Sequence, residues 1–254
     1  MIVMDIGNSD TVIGIYKKKK LYKTYRIETK NKNFKKNISE FFKKNIIFNL
    51  KSNEKICLIS SVVPEVNKII FFLLKKYSFK IKNININNIP KKIKFKYSKN
   101  QLGADRIANS FSGVNKYGSN LMIIDFGTAT TFDVIAKDGS YEGGVIAPGV
   151  NLSLEALHQA AAQLPRVAIR KPEKVIAQET VSAMEAGVYW GYLGLIEGIV
   201  KRMQKEYHIP MNVIATGGLA PLFANGTKSI NVVDLDLTIK GLLEIYKLNT
   251  QQSI

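Results

Sequence analysis

The chain has one cysteine in 254 residues. A lone thiol cannot close an internal disulfide, so the fold must rest on a packed core, which suits a reducing, cytoplasmic setting. Cys57 sits in an apolar run and reads as a buried free thiol. The chain also lacks a charge-free apolar stretch. Its most apolar long window, residues 181–200, approaches bilayer length but contains Glu185, Glu197 and four glycines, so it reads as a mostly buried helix and no membrane partner is expected. The start, Met1-Ile2-Val3-Met4-Asp5, has neither a basic n-region nor a long apolar h-region, so no signal peptide is expected.

Arginine is nearly missing from the first hundred residues. That half holds 24 basic residues against 6 acidic ones, and all but Arg26 are lysine; the other 154 residues hold 13 against 14. The net charge of +17 therefore belongs to the first half. Base readout and bidentate phosphate clamps favour arginine, and stacking platforms interleave aromatics with charge. Here lysine comes mixed with isoleucine and asparagine, as in residues 82–89. A solvated lysine-rich surface explains this better than nucleic-acid binding, which would weaken steeply with salt. A general attraction for anionic substrates follows in either case.

Two stretches about 120 residues apart are variants of one motif: Asp5-Ile6-Gly7-Asn8-Ser9-Asp10-Thr11 and Asp125-Phe126-Gly127-Thr128-Ala129-Thr130-Thr131. In each, a strand ends near an Asp able to hold hydrated Mg²⁺, a Gly lets the backbone bend towards an oxyanion, and short polar side chains supply donors. One Asp-x-Gly is a common hairpin turn. Two copies, followed by Ala215-Thr216-Gly217-Gly218 after the apolar Asn212-Val213-Ile214, make a phosphate-facing duplication the better reading. This order resembles the actin-like ATPase and sugar kinase superfamily.

Periodicity predicts strands at 2–5, 11–16 and 21–27 around a tip at 17–20, a helix near 34–48, a strand at 55–60, a helix near 66–76 and a strand at 80–84. Residues 88–99 read as a polar loop leading to a helix that opens at 102–106. The second copy predicts strands at 121–124, 130–135 and 141–147, helices near 151–162 and 179–207, a strand at 212–216, a helix at 219–225, a strand at 230–233 and a closing helix at 237–248. Alternation at this spacing argues an α/β fold of mixed sheets with crossover helices. The expected domains are 1–117 and 118–254. On the helix at 179–207, Gly187, Gly191, Gly194 and Gly198 form a stripe without side chains, suited either to internal packing or to a two-fold contact.

A closer resemblance rests on Asp5-Ile6-Gly7-Asn8, Ser60-Ser61-Val62-Val63-Pro64, Leu102-Gly103-Ala104-Asp105-Arg106, the second Asp-x-Gly motif, Gly143-Gly144-Val145-Ile146-Ala147-Pro148-Gly149 and Leu164-Pro165. Their order and spacing resemble the type III pantothenate kinases over nearly the whole chain. The resemblance implies two duplicated actin-like ATPase (ribonuclease H-like) domains with an interdomain cleft. It further implies ATP-dependent phosphorylation of pantothenate to 4'-phosphopantothenate, the first step of coenzyme A synthesis, by a cytoplasmic homodimer.

Carried over residue by residue, the resemblance makes Asp105 the base that accepts the pantothenate hydroxyl proton, at a helix start whose dipole keeps it ionised. Arg106 holds the anionic substrate through its guanidinium fork, and Tyr97, Gly103, Ala104 and Thr180 complete the substrate contacts. Asp5, Ile6, Gly7, Asn8, Ser9, Asp10, Thr11 and Val12 form the turn for ATP phosphates, with Asp5 on Mg²⁺ through water. Thr128 donates to the nucleotide, and Asp125 is the ligand of a monovalent cation, K⁺ or NH₄⁺. The sequence departs from the family pattern in three places. Ser9 and Asp10 replace the usual Thr and Asn, which brings a further negative charge towards the phosphates; the segment after Tyr97 lacks the usual Pro; and Ala177-Gln178-Glu179-Thr180 replaces Gly-x-Asn-Thr. The competing class is a non-catalytic relative that binds nucleotide as a regulatory accessory factor. Retention of Asp5, Asp105, Arg106 and Asp125 together favours the enzyme.

Overall fold

The computed structural model describes residues 1–18, 20–45, 55–84, 94–96, 102–161 and 164–251. These form two compact units. The first comprises Met1–Ile93, Ser98–Ser112 and Asp236–Ile254; the second comprises Lys94–Tyr97 and Gly113–Leu235.

The first unit is built on β1 (Ile2–Ile6), β2 (Asp10–Lys17), β3 (Lys20–Glu28), β4 (Ile56–Ser61) and β5 (Lys80–Asn83), in the order β3-β2-β1-β4-β5. The first three strands run antiparallel, while β4 lies parallel to β1 and β5 parallel to β4. β1 is apolar except at Asp5, as a central strand covered on both faces must be. Helix α1 (Phe34–Asn45) buries Phe34, Ile38, Phe41 and Phe42, one stripe at helical spacing, against Ile2, Met4 and Ile6 of the sheet. Helix α2 (Pro64–Lys76) opens on a proline, whose missing N–H costs nothing in a first turn, and adds Ile70, Leu73 and Leu74 to the same core. Cys57 lies fully buried there, and burial pushes its thiol far above the ordinary range, so it is inert.

The second unit repeats the plan with β6 (Leu121–Phe126), β7 (Ala129–Ile135), β8 (Tyr141–Pro148), β9 (Asn212–Gly217) and β10 (Val232–Val233), in the order β10-β9-β6-β7-β8. Directions match strand for strand: β6–β7 and β7–β8 antiparallel, β6–β9 and β9–β10 parallel. This twofold β-meander continued by two parallel strands is the duplicated actin-like, ribonuclease H-like α/β fold that the two Asp-x-Gly motifs imply. Helices α4 (Val150–Ala160), α5 (Thr180–Tyr207) and α6 (Ala220–Ala224) surround it. Phe126, Tyr189, Tyr192 and Phe223 form its aromatic centre, with Phe126 stacked on Phe223 at 5.3 Å.

Helix α3 (Ala104–Tyr117) carries the Gly-Ala-Asp-Arg motif, and the closing helix α7 (Leu237–Gln251) packs on the first sheet. Gly241 lets α7 approach α3 closely, since a Cβ there would overlap the Ala108 carbonyl oxygen. Thr238 Oγ1 donates to Asn109 Oδ1 at 2.8 Å, and Thr24 Oγ1 donates to Asp236 Oδ1 at 2.7 Å. Among the described residues no helix is long and apolar enough to cross a membrane.

Several boundaries differ from the sequence reading. β1 runs on to Ile6, so Asp5 lies inside the strand rather than at its end. α1 is described to Asn45, and the remainder of the expected helix lies outside the described residues. β10 is two residues rather than four because Asn231 bonds with its side chain: its Oδ1 accepts the Val213 N–H at 2.8 Å in place of a ladder carbonyl. Part of the expected loop at 88–99 is paired, with Lys94 and Lys96 exchanging backbone hydrogen bonds with Tyr141 at 2.8 and 3.0 Å. Lys96 Nζ also lies 2.9 Å from Glu142. Burial raises the Glu142 carboxyl, but hydrogen bonds from Ser140 and Lys96 outweigh it and hold the pKa below its ordinary 4.5. A depressed carboxylate pKa stabilises above the unfolded value and loses that contribution as pH falls through the folded one. Amide exchange at residues 94–96 should therefore accelerate relative to β6 as pH drops below 4.5; a constant ratio would contradict the tie.

Candidate active site

In the first unit the turn expected to face phosphates spans the β1–β2 hairpin. Ile6 pairs with Thr11, leaving Gly7-Asn8-Ser9-Asp10 as the connection. Gly7 N–H donates to the Asp10 carbonyl at 3.0 Å, and a Cβ on Gly7 would lie 3.2 Å from that same oxygen, so glycine is what lets the turn close so tightly. Asn8 and Ser9 are exposed, while Thr11 is fully buried. The turn is braced from β3's end: Thr29 N–H donates to the Ser9 carbonyl at 2.7 Å, and the Thr11 and Thr29 hydroxyls lie 3.0 Å apart. Val12 pairs with Asp5 on one side and with Arg26 on the other, so these three residues stand in one row on one sheet face. Asp10 follows on that face, and its carboxylate meets Arg26 Nη1 at 3.0 Å.

Also in the first unit, Leu102 is buried and anchors the start of α3. Asp105 is exposed in the first turn, with Oδ1 accepting the Arg106 N–H at 2.8 Å. A Cβ on Gly103 would overlap that same Asp105 oxygen, so a side chain there would have to displace the carboxylate. Arg106, the next residue, is only 7% exposed. The motif thus splits its charges, with the carboxylate towards solvent and the guanidinium inside.

The second unit holds the other copy. Asp125, half-buried, pairs with Thr131 of β7 and Thr216 of β9. Here Phe126 pairs with Thr130, so the connection is one residue shorter than in the first copy, and Gly127 N–H closes onto the Ala129 carbonyl at 3.1 Å. Two distant glycines press on this turn. A Cβ on Gly149, the residue before α4, would overlap the Thr128 carbonyl, and one on Gly217 would meet the Phe126 backbone at 2.5 Å. Gly217 also has φ +89°, a conformation that glycine adopts without strain. Thr128 itself is exposed.

Thr180 is the first residue of α5, and Glu179 before it makes no side-chain cap. It lines an open, largely apolar cavity of about 670 Å³ with Pro148, Ser153, Met184, Gly187 and Gly191, all in the second unit. Tyr192 donates its hydroxyl to the Pro148 carbonyl at 2.9 Å, so the contact at 2.7 Å between it and Ser153 has Ser153 as donor. Gly187, Gly191 and Gly194 face outward, with nothing within 4 Å of a Cβ built at any of them. Internal packing, one of the two uses expected for the stripe, is therefore not what these three serve.

Tyr97 lies outside the described residues. Among the described residues no group of three or more His, Cys, Asp or Glu side chains is arranged to hold a metal ion. The acidic positions of the two turns are instead single half-buried carboxylates next to glycine, a donor set suited to ions that keep much of their water or phosphate coordination. Sequence reasoning did not assign roles to Thr29, Ser153, Tyr192 or the Arg26 partnership. Arg26 alone carried a signal, as the one arginine in a field of lysines.

The family model of type III pantothenate kinase matches residues 1–202. A type III pantothenate kinase of Cereibacter sphaeroides is 41% identical over 255 residues, covering 99% of each chain. This chain belongs to the type III pantothenate kinase family. The family's Maricaulis maris member is 50% identical over 196 residues, 76% of this chain and 75% of that one. The match to the Paramagnetospirillum magneticum type III pantothenate kinase, 59% identical over 150 residues, spans 58% of that protein. Solved structures agree on the fold of this pantothenate kinase family member. A Baf family protein of Campylobacter jejuni superposes with a TM-score of 0.61 at 20% identity, over 99% of this chain and 100% of that one.

Proposed function

We propose that this chain transfers the γ-phosphoryl group of ATP to the terminal hydroxyl of pantothenate, giving ADP and 4'-phosphopantothenate, in the cytoplasm. The observation that carries the reading is Asp105, an exposed carboxylate at a helix start with one oxygen already fixed by the Arg106 N–H. Fixing Oδ1 leaves Oδ2 to accept the proton of the attacking hydroxyl as the oxygen–phosphorus bond forms and ADP departs. Arg106 offers its fork from a nearly dry position, where a charge-assisted bond to the pantothenate carboxylate is strong.

For the nucleotide, the turn from Asp5 to Val12 supplies backbone N–H groups and the exposed Asn8 and Ser9 side chains to phosphate oxygens, and Thr128 supplies a further hydroxyl. Asp5 would hold hydrated Mg²⁺ and Asp125 a monovalent cation; when bound, these ions neutralise charge on the transferring phosphoryl group. Thr180, Ser153 and Tyr192 are polar residues lining the cavity beside α5 that would receive pantothenate. The sequence segments 1–117 and 118–254 are, on this reading, the two copies of the duplication.

The test is ADP release by the purified protein with ATP, Mg²⁺ and pantothenate, with and without K⁺. Release that requires pantothenate and rises with K⁺ or NH₄⁺ supports the reading. Release independent of pantothenate, or none with either cation, overturns it.

The outward glycine stripe of α5 fits a two-fold contact between copies of the chain. Exposed helical glycine costs about 1 kcal/mol against alanine, so a stripe left in water would be a standing loss. Gly191→Glu should convert a dimer to a monomer in sedimentation analysis, and it should lower activity as well because Gly191 also lines the cavity. A dimer that persists in this variant would contradict the assignment.

A further inference from the structure

Asp10 poses an electrostatic problem that the rest of the fold must solve. It closes the turn proposed for ATP phosphates, where each added anion repels the ligand, and its cross-strand partner on β3 is Glu28, a second carboxylate. Within the basic half the flexible lysines are many, yet the residue that meets Asp10 is Arg26, at 3.0 Å.

Both partners are about one-third exposed, with side-chain accessibilities of 36% and 34%. Exposed pairs of this kind contribute little to folding. Folding stability alone therefore gives weak grounds for the pairing, whereas its location gives strong ones. Arg26 shares a row with Val12 and Asp5, two strands from Asp5, at about 10 Å from the spacing of neighbouring strands. Thr29, three residues on, holds the Ser9 carbonyl at 2.7 Å, so the end of β3 fixes the turn's backbone as well as its charge.

We propose that Arg26 is a positioning residue for the nucleotide: it neutralises Asp10 and holds that carboxylate along β3, so that the turn's N–H groups face the triphosphate without a competing anion. A lysine would supply the charge on a flexible stem but not the planar, rigid guanidinium whose Nη1 here meets Asp10 Oδ2. This inference rests on the kinase reading for the identity of the anion, though not for the geometry of the pair.

The experiment compares Arg26→Ala, Arg26→Lys, Asp10→Asn and the double variant Arg26→Ala/Asp10→Asn. It reads Kd for ATP with Mg²⁺ by calorimetry, and KM for ATP and for pantothenate. Arg26→Ala should raise Kd and KM for ATP about tenfold, the effect of one uncompensated nearby charge, with KM for pantothenate unmoved. Adding Asp10→Asn should restore ATP binding, because the anion that needed neutralising is gone. Arg26→Lys should fall between. A merely structural Arg26 would shift both substrates or neither and would not be rescued. An unrescued double variant, or ATP binding untouched in Arg26→Ala, overturns the inference while leaving the kinase reading intact. Absence of ATP binding by the unaltered protein overturns both. If Arg26→Ala does not fold, Asp10→Asn alone decides: tighter ATP binding supports the inference and weaker binding refutes it.

Discussion

Replacing Asp105 by asparagine should lower kcat for pantothenate phosphorylation by about 10²- to 10⁴-fold, the range over which a positioned general base acts. The substitution removes proton affinity and little else. Asparagine keeps the Oδ1 that accepts the Arg106 N–H at 2.8 Å, so the first turn of α3 retains its closure and its place beside Gly103. Because Asp105 is exposed, unfolding stability should change by about 0.5 kcal/mol or less. KM for ATP should be nearly unaltered, since the base acts on the acceptor. Steady-state kinetics alongside a thermal melt would check this. A variant with normal kcat sinks Asp105 as the base, and a variant that is inactive because it is unfolded leaves the role to Asp105→Glu, which keeps the proton acceptor and should retain partial activity.

Gly149→Ala should have the second large effect, through backbone alone. Gly149 has φ −77° and ψ 155°, angles that alanine adopts without strain, so the whole cost is the overlap of the new Cβ with the Thr128 carbonyl and with Gly127 O at 2.9 Å. Those atoms belong to main chain and cannot swing aside as a flexible side chain would. The expected loss is about 1–3 kcal/mol, the usual cost of overpacking, with a raised KM for ATP because the turn that aims Thr128 is displaced. Gly217→Ala carries an added conformational cost from φ +89°. Melting curves and KM for ATP together check the point; an alanine variant with unchanged values for both would mean that Thr128 tolerates the shift or has no part in nucleotide binding.

Much of this architecture was legible because the chain states it twice. The apolar strands before Asp5 and Asp125, and the glycine two residues after each, announce two hairpins whose pairing the structure reproduces as Asp5 with Val12 and Asp125 with Thr131. Local periodicity also located α1, α2 and α5, whose buried faces follow helical spacing. Less was legible where the cause lies far away in sequence. Asn231 delays the start of β10 through a side-chain bond from Val213 N–H, and no local pattern separates that from a longer strand. The pairing of residues 94–96 with Tyr141 is likewise invisible in a polar, lysine-rich segment. At the candidate site, the motifs named Gly149 and Gly217 without saying what each approaches. Their partners, Thr128 and Phe126, follow only from three-dimensional proximity. The sequence named Asp10 as an added charge and Arg26 as a lone arginine, but it took the strand register to join them.

The account stands or falls on what becomes of the γ-phosphate. Mass spectrometry of a reaction holding purified protein, ATP, Mg²⁺, K⁺ and pantothenate should find one singly phosphorylated pantothenate for each ADP formed, with Asp105→Asn folded and producing neither above background. ADP accumulating while pantothenate stays unphosphorylated, or product forming at the normal rate in Asp105→Asn, would contradict it.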